Sequence, residues 1–327
     1  MASYEGKTSM NMTLIDSSIF SLDSNVTLLS VENGFINEAG EAYDRNGTFI
    51  DFPRELGSKT RKNLDMTSVI KKMRNTTIAC LVHERKNYSY FHWIFETLPK
   101  FIYLKNNKSD IDFDKIYYHC GLLGTPYERQ ALNILGFRRW HLLDARRLKS
   151  LNASRIIVIK LEEQRRNPSL FLCKSLKKAF IKESMVKPVR RIYLTRKNVK
   201  SGRKIVNEIE LIRILNSLDF QIVDPAKLSF AKQVELFNES EYIVSPHGAA
   251  LANIVFCNSG AKVIELFNHP DICQGSQSYL NIARTCNLQL IRLPAKDNAK
   301  IATTYSNRSD FSVDIDAVRS ALKQFNL

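Results

Sequence analysis

From residue 190 onward, short apolar runs and amphipathic runs alternate with few residues between them. Residues 191–195, 220–223, 242–245, 263–267 and 288–293 are short, mostly apolar and bounded by turn residues, the pattern of strands buried on both faces. Between them, 206–218 carries Ile209, Ile212 and Leu215 at helical spacing, and Ser229 caps a run reaching residue 237. Residues 249–256 and 278–286 complete the helical set, and 313–325 reads as a closing amphipathic helix. Strand and helix in strict alternation predict an α/β fold with a doubly wound parallel sheet. Such sheets bind ligands outside the carboxyl ends of their strands.

The first half is less regular. Strands are predicted at 26–31, 76–82, 115–119 and 155–160, with turns at Asn33-Gly34 and Asn46-Gly47. A helix over 91–104 must kink or restart at Pro99, which lacks an N–H. Another starts at Pro126 and runs to 135. A third, over 167–185, turns Leu172, Leu176 and Phe180 to one face and Lys174, Lys177, Lys178 and Lys182 largely to others. That basic side is either a solvated surface or a docking face for an anionic partner. The domain boundary is placed near 185–188, giving an N-terminal domain over 1–186 and a C-terminal domain over 187–327, with the last helix free to pack back on the former.

Composition narrows the classes. Hydrophobic residues make up 44% and charged residues 25%, values of a globular chain. No apolar run approaches the roughly 20 residues that span a bilayer, and the first residues lack the pattern of a secretion signal. The six cysteines form no CxxC pair, so neither a zinc site nor a disulfide framework is expected, and a reduced, cytoplasmic setting follows. The sequons Asn25-Val26-Thr27 and Asn152-Ala153-Ser154 are read as by-products of an Asn-rich composition. The formal net charge of +15 attracts polyanions, whether nucleic acid, an anionic membrane surface or phosphorylated small molecules, without choosing among them, and much of the excess lies in 138–204. Basic residues do not interleave with aromatics as a single-strand nucleic-acid binder requires, so no nucleic-acid partner is expected.

Several polar residues fall at the predicted carboxyl ends. Arg196 follows its strand directly, and Arg203 lies in the next loop; a guanidinium fork suits a diphosphate. In Ser245-Pro246-His247-Gly248-Ala249, a strand turns into a helix whose first N–H groups are open to an anion, and the small residues let a ligand approach. His247 either donates to a phosphate or caps the turn. Glu265 interrupts an apolar strand and must have a partner, either ribose hydroxyls or Arg196. Glu208 at a helix start has a sufficient role in the helix dipole. There is no GxGxxG and no GxxxxGK[ST]. Asp110-Ile111-Asp112 has the spacing of a metal-holding pair but lies far from the other candidates, so no metal and no cofactor is expected. In the first half, His92 and Glu96 are one helical turn apart. Either could act as a base on a hydroxyl, or Glu96 could pair with Lys100.

Two sets of residues resemble glycosyltransferase family 61. Residues 87–99 (NYSYFHWIFETLP) are similar to that family's N-Y-x-H-W-x-x-[DE]-x-L-P stretch, with residues added before the His. Residues 191–196, 203–208, 245–253 and 263–266 are similar to its later motifs, in its order. The resemblance implies a GT-B architecture of two Rossmann-like domains, a nucleotide-sugar donor on the C-terminal one and a glycan or lipid-linked acceptor on the other. It implies an inverting, metal-independent transfer. Arg196, Arg203, His247, Gly248, Ala249 and Asn253 would serve the donor, Glu265 its ribose, and Glu96 with His92 would activate the acceptor. Members of the capsular and surface-polysaccharide type would work peripherally at the inner face of a membrane. A non-catalytic protein binding polyanions or membranes on the same scaffold is the competing reading.

Overall fold

The computed structural model describes residues 17–23, 26–51, 63–64, 71–82, 89–118, 125–161, 167–182, 187–199, 202–268, 277–295 and 309–327. Asn87 and Tyr88 of the family-like stretch, the boundary at 185–186, Cys120 and Cys273 lie outside them. The chain forms two compact units: Met1–Tyr88, Glu96–Gly124 and Leu135–Glu163 make the first, and Ser89–Phe95, Thr125–Ile134 and Gln164–Leu327 the second.

Unit 1 is built on a mixed eight-stranded sheet. Its strands are β1 (Ser17–Asp23), β2 (Val26–Glu32), β3 (Phe35–Asn37), β4 (Ala42–Tyr43), β5 (Lys71–Cys80), β6 (Lys115–Tyr118), β7 (Leu142–Asp144) and β8 (Ser150–Leu161). The order β8-β5-β6-β7 is parallel, whereas β1, β2 and β3 extend it in antiparallel fashion. Asn33, at φ 53°, turns the chain from β2 into β3, as the Asn-Gly pair suggests. The second sequon is spent on structure: the Asn152 amide donates to the backbone oxygens of Asn33 and Gly34.

The helical segment after Ser89 resolves the problem of Pro99. Ser89 accepts from His92 N and starts an α-turn, Tyr90–His92; a π-turn, Trp93–Thr97, follows; a new α-helix, Leu98–Asn106, then begins with Pro99 in its first turn. There a missing N–H breaks no helical bond. The helix thus restarts just before the proline.

Unit 2 carries a five-stranded parallel sheet. Its strands are β9 (Arg190–Leu194), β10 (Gln221–Val223), β11 (Ser240–Pro246), β12 (Lys262–Phe267) and β13 (Gln289–Pro294), ordered β10-β9-β11-β12-β13. Alternation sends Tyr193, Tyr242, Val244, Ile264 and Leu266 to one face, where they pack with the helices Glu208–Asn216 and Ile315–Gln324. The last helix therefore packs on its own unit's sheet, through Val318, Ala321 and Leu322. On the other face lie Phe230–Asn238, Ser278–Thr285 and Leu170–Phe180, with Phe180, Phe230 and Phe256 packed edge to face.

Three local expectations change. Ile209 does not face inward but is 78% exposed, because the helix starts only at Glu208 and its buried stripe is Leu211, Ile214 and Leu215. Residues 249–256 form a 3-10 helix. The basic helix ends at Phe180. Cys80, Cys173, Cys257 and Cys286 are buried free thiols, and burial pushes the Cys257 thiol up.

Candidate active site

Connections in the unit 2 sheet run outward from β9 to β10, return past β9 to β11, and then proceed the other way to β12 and β13. The reversal falls between β9 and β11, and a crevice outside the carboxyl ends of strands opens at such a switch. Arg196 lies two residues past the end of β9, and His247 and Gly248 directly follow β11. The alternation read from sequence thus brings these three residues to one point.

Gly248 is buried and its backbone is extended, at φ 177° and ψ 167°. Its lack of a side chain is used for proximity, not for conformation: a Cβ there would fall on Arg196 Nη1. The guanidinium lies against the turn, and its Nη2 donates to Gly202 O at 3.3 Å. Gly202 and Arg203 both take positive φ, 76° and 60°, a tight left-handed turn in the loop that bears the second arginine. Burial, and after it the charge of Arg203, push the Arg196 guanidinium down to about 10. It remains charged at neutral pH. The charges of the two arginines thus act on each other, and together they raise the potential for an anion.

Glu265 sits beside them on β12, 1% exposed. It pairs in register with Arg292 of β13, whose Nε lies 3.5 Å from Oε2, while Oε1 accepts from His247 Nδ1 at 2.7 Å. An ionised carboxylate only accepts, so Nδ1 carries the proton and Nε2 is the nitrogen left for a ligand. Phe267 stacks under the imidazole at 4.7 Å and also lies beneath the Arg292 guanidinium. Arg196 is not what the structure shows balancing Glu265; His247 and Arg292 do that. Tyr279 closes the back of the turn by donating to Gly248 O at 2.7 Å. Burial and the charge of Glu265 push its phenol up, with Arg203 and Arg196 opposing.

Asn253 occupies a different place. It is fully buried; its Oδ1 accepts from Tyr90 at 2.6 Å and its Nδ2 donates to Gln233 at 2.9 Å. It ties the segment Ser89–Phe95 to the 3-10 helix behind the turn. Ala249 begins that helix, partly exposed. Glu208 accepts from Tyr193 OH and Thr195 Oγ1, which fixes the end of β9. His92 falls in unit 2 and the buried Glu96 in unit 1. Asp110 and Asp112 lie in unit 1, after the helix Leu98–Asn106. Among the described residues, no group of three or more His, Cys, Asp or Glu is disposed to hold a metal ion.

Arg292, Phe267 and Tyr279 were not singled out from sequence. Arg292 had a legible signal, since it interrupts an apolar strand just as Glu265 does, at the position paired with it. Tyr279 had none, because its helix is placed by tertiary packing alone.

The family model for glycosyltransferase 61 matches residues 90–264, more than half of the 327 residues. The chain belongs to glycosyltransferase family 61. The match runs from Tyr90 into the first half of β12 and so includes both arginines, the His247-Gly248 turn and Asn253. Among curated proteins, the family member is similar to the EGF domain-specific O-linked N-acetylglucosamine transferase of Gallus gallus, 32% identical over 94 residues, 27% of this chain and 17% of the relative. The protein of the same description from Canis lupus familiaris is 34% identical over 87 residues, 25% and 16% of the two chains. That of Drosophila melanogaster is 29% identical over 99 residues, 29% and 18%. The similarity therefore spans less than a fifth of each of these relatives.

Proposed function

We propose that this family 61 member transfers a sugar from a nucleotide-diphosphate donor to a glycan or lipid-linked acceptor, with inversion and without a metal. The observation that carries the proposal is Arg196 packed against Gly248 at the switch point of the unit 2 sheet, with the charge of Arg203 acting on it. A leaving diphosphate needs its developing charge neutralised, and preset guanidinium groups supply this without rearrangement. His247, oriented by Glu265, offers Nε2 to the same phosphates, Gly248 leaves Arg196 room beside them, and the partly exposed Ala249 follows at the start of the 3-10 helix. Asn253 supports the turn from behind. Glu96, with His92, is the proposed acceptor-activating base. The GT-B arrangement, with an acceptor domain over 1–186 and a donor domain over 187–327, belongs to this reading. So does a role in surface-polysaccharide synthesis of the bacterial capsular type, by an enzyme peripheral to the inner face of the membrane; the charge of +15 supports the membrane part. The relatives' description makes an N-acetylglucosamine donor the first to test.

Titration calorimetry with nucleoside diphosphates tests the donor site. Arg196→Ala should abolish binding while circular dichroism stays native; unchanged affinity removes the site. Glu96→Gln should keep donor binding and slow transfer by about 10²–10⁴-fold, and retained turnover moves the base elsewhere.

A further inference from the structure

The helix Leu170–Phe180 contains three lysines and no acidic residue. At about 100° per residue, Leu170, Lys174, Lys178 and Phe171 fall within one sector roughly 100° wide. All four are exposed, Leu170 at 52% and Phe171 at 42%. The opposite side, Leu172, Cys173 and Leu176, is buried against unit 2. Lys177 is not part of the outer face: its ammonium turns inward and donates to Cys257 O at 2.7 Å. Lys182, two residues past the helix, is exposed as well. Among the described residues, no carboxylate pairs with Lys174, Lys178 or Lys182. A packed helix thus shows solvent two large apolar side chains in its first turn and, along the rest, lysines that no described carboxylate pairs with.

We propose that this face docks on an anionic lipid bilayer, with Leu170 and Phe171 entering the interface and Lys174, Lys178 and Lys182 meeting the headgroups. Lysines alone would serve any polyanion. Exposed leucine and phenylalanine beside them are wasted on a nucleic acid or glycan, whereas an interface takes up apolar side chains and cations together. The inner-membrane location proposed above would then have a defined structural basis. The inference rests on the membrane part of that reading and is independent of the donor site.

The test is sedimentation of the protein with vesicles of phosphatidylcholine alone and of phosphatidylcholine containing phosphatidylglycerol. Binding is expected only to the second. The pair Lys174→Glu/Lys178→Glu should weaken it by roughly tenfold or more. Leu170→Ser/Phe171→Ser should weaken it with the lysines intact. Phe171→Trp should add emission that shifts to the blue on anionic vesicles. All four side chains are exposed, so thermal unfolding and nucleoside diphosphate affinity should not change, which separates this inference from the donor reading. Wild-type protein that ignores anionic vesicles overturns the proposal, as does binding that survives both double substitutions. Heparin binding with the same lysine dependence, alongside vesicle binding indifferent to Leu170 and Phe171, assigns the face to polyanions and also overturns it.

Discussion

Glu265 Oε1 and His247 Nδ1 are joined by a 2.7 Å hydrogen bond between β12 and the residue following β11. His247 N also donates to Leu266 O, so backbone and side chain are held by the same strand. With Arg292 on the other carboxylate oxygen, the imidazole has one tautomer and one orientation. An apolar strand thus accommodates a carboxylate because both of its oxygens are used on site.

Glu265→Gln keeps the shape but weakens a hydrogen bond to a charged group, worth about 1.5–3 kcal/mol, or roughly ten- to a hundredfold in rate. Transfer should fall by that factor and nucleoside diphosphate affinity by less. Steady-state kinetics beside calorimetry separates the two; a variant with wild-type turnover would end the positioning role.

Gly248→Ala is conformationally allowed at φ 177°, so its effect is steric and local. The added methyl displaces Arg196. Nucleoside diphosphate binding should drop at least tenfold with little change in melting temperature. Wild-type affinity in calorimetry would show that Arg196 has no fixed place in the site.

Arg196 also sets a pH relationship. A base whose folded-state pKa is depressed weakens the fold while charged, so its burden is present at every pH below about 10 and eases only above it. At neutral pH, Arg196→Met should therefore raise the melting temperature of the ligand-free protein, by roughly 2–4 °C per kcal/mol relieved. The same variant should lose the stabilisation that nucleoside diphosphate gives the wild type. A lower melting temperature without ligand contradicts this.

Asn253→Ala leaves Tyr90 OH and the Gln233 amide without their partner in a buried setting, at about 1–3 kcal/mol each. The expected result is a clear loss in chemical denaturation, and donor affinity reduced only in proportion to unfolding. A large affinity loss in a fully folded variant would give Asn253 a direct part in binding.

Periodicity was a good guide where each strand is buried on both faces. Every strand of unit 2 stands within two residues of its apolar run, and with it the placement of Arg196 and His247. It was a poor guide at element ends. Ile209 has the spacing of a core residue but precedes the first full turn of its helix. The partner of Glu265 was undetermined for another reason: an in-register cation one strand away and a histidine at a strand end are both long-range neighbours. The antiparallel part of unit 1 escaped notice because its pairing, β2 with β8, joins residues more than a hundred apart in the chain.

The turn Trp93–Thr97 closes its hydrogen bonds one residue later than an α-turn, so it takes up one residue more than the helix needs. Such wide turns are frequent at functional sites, and this one carries Glu96. Deleting one of its residues would return the turn to α geometry and rotate Glu96 by about 100° against its neighbours. The presentation of the proposed base thereby depends on the extra residue of the wide turn.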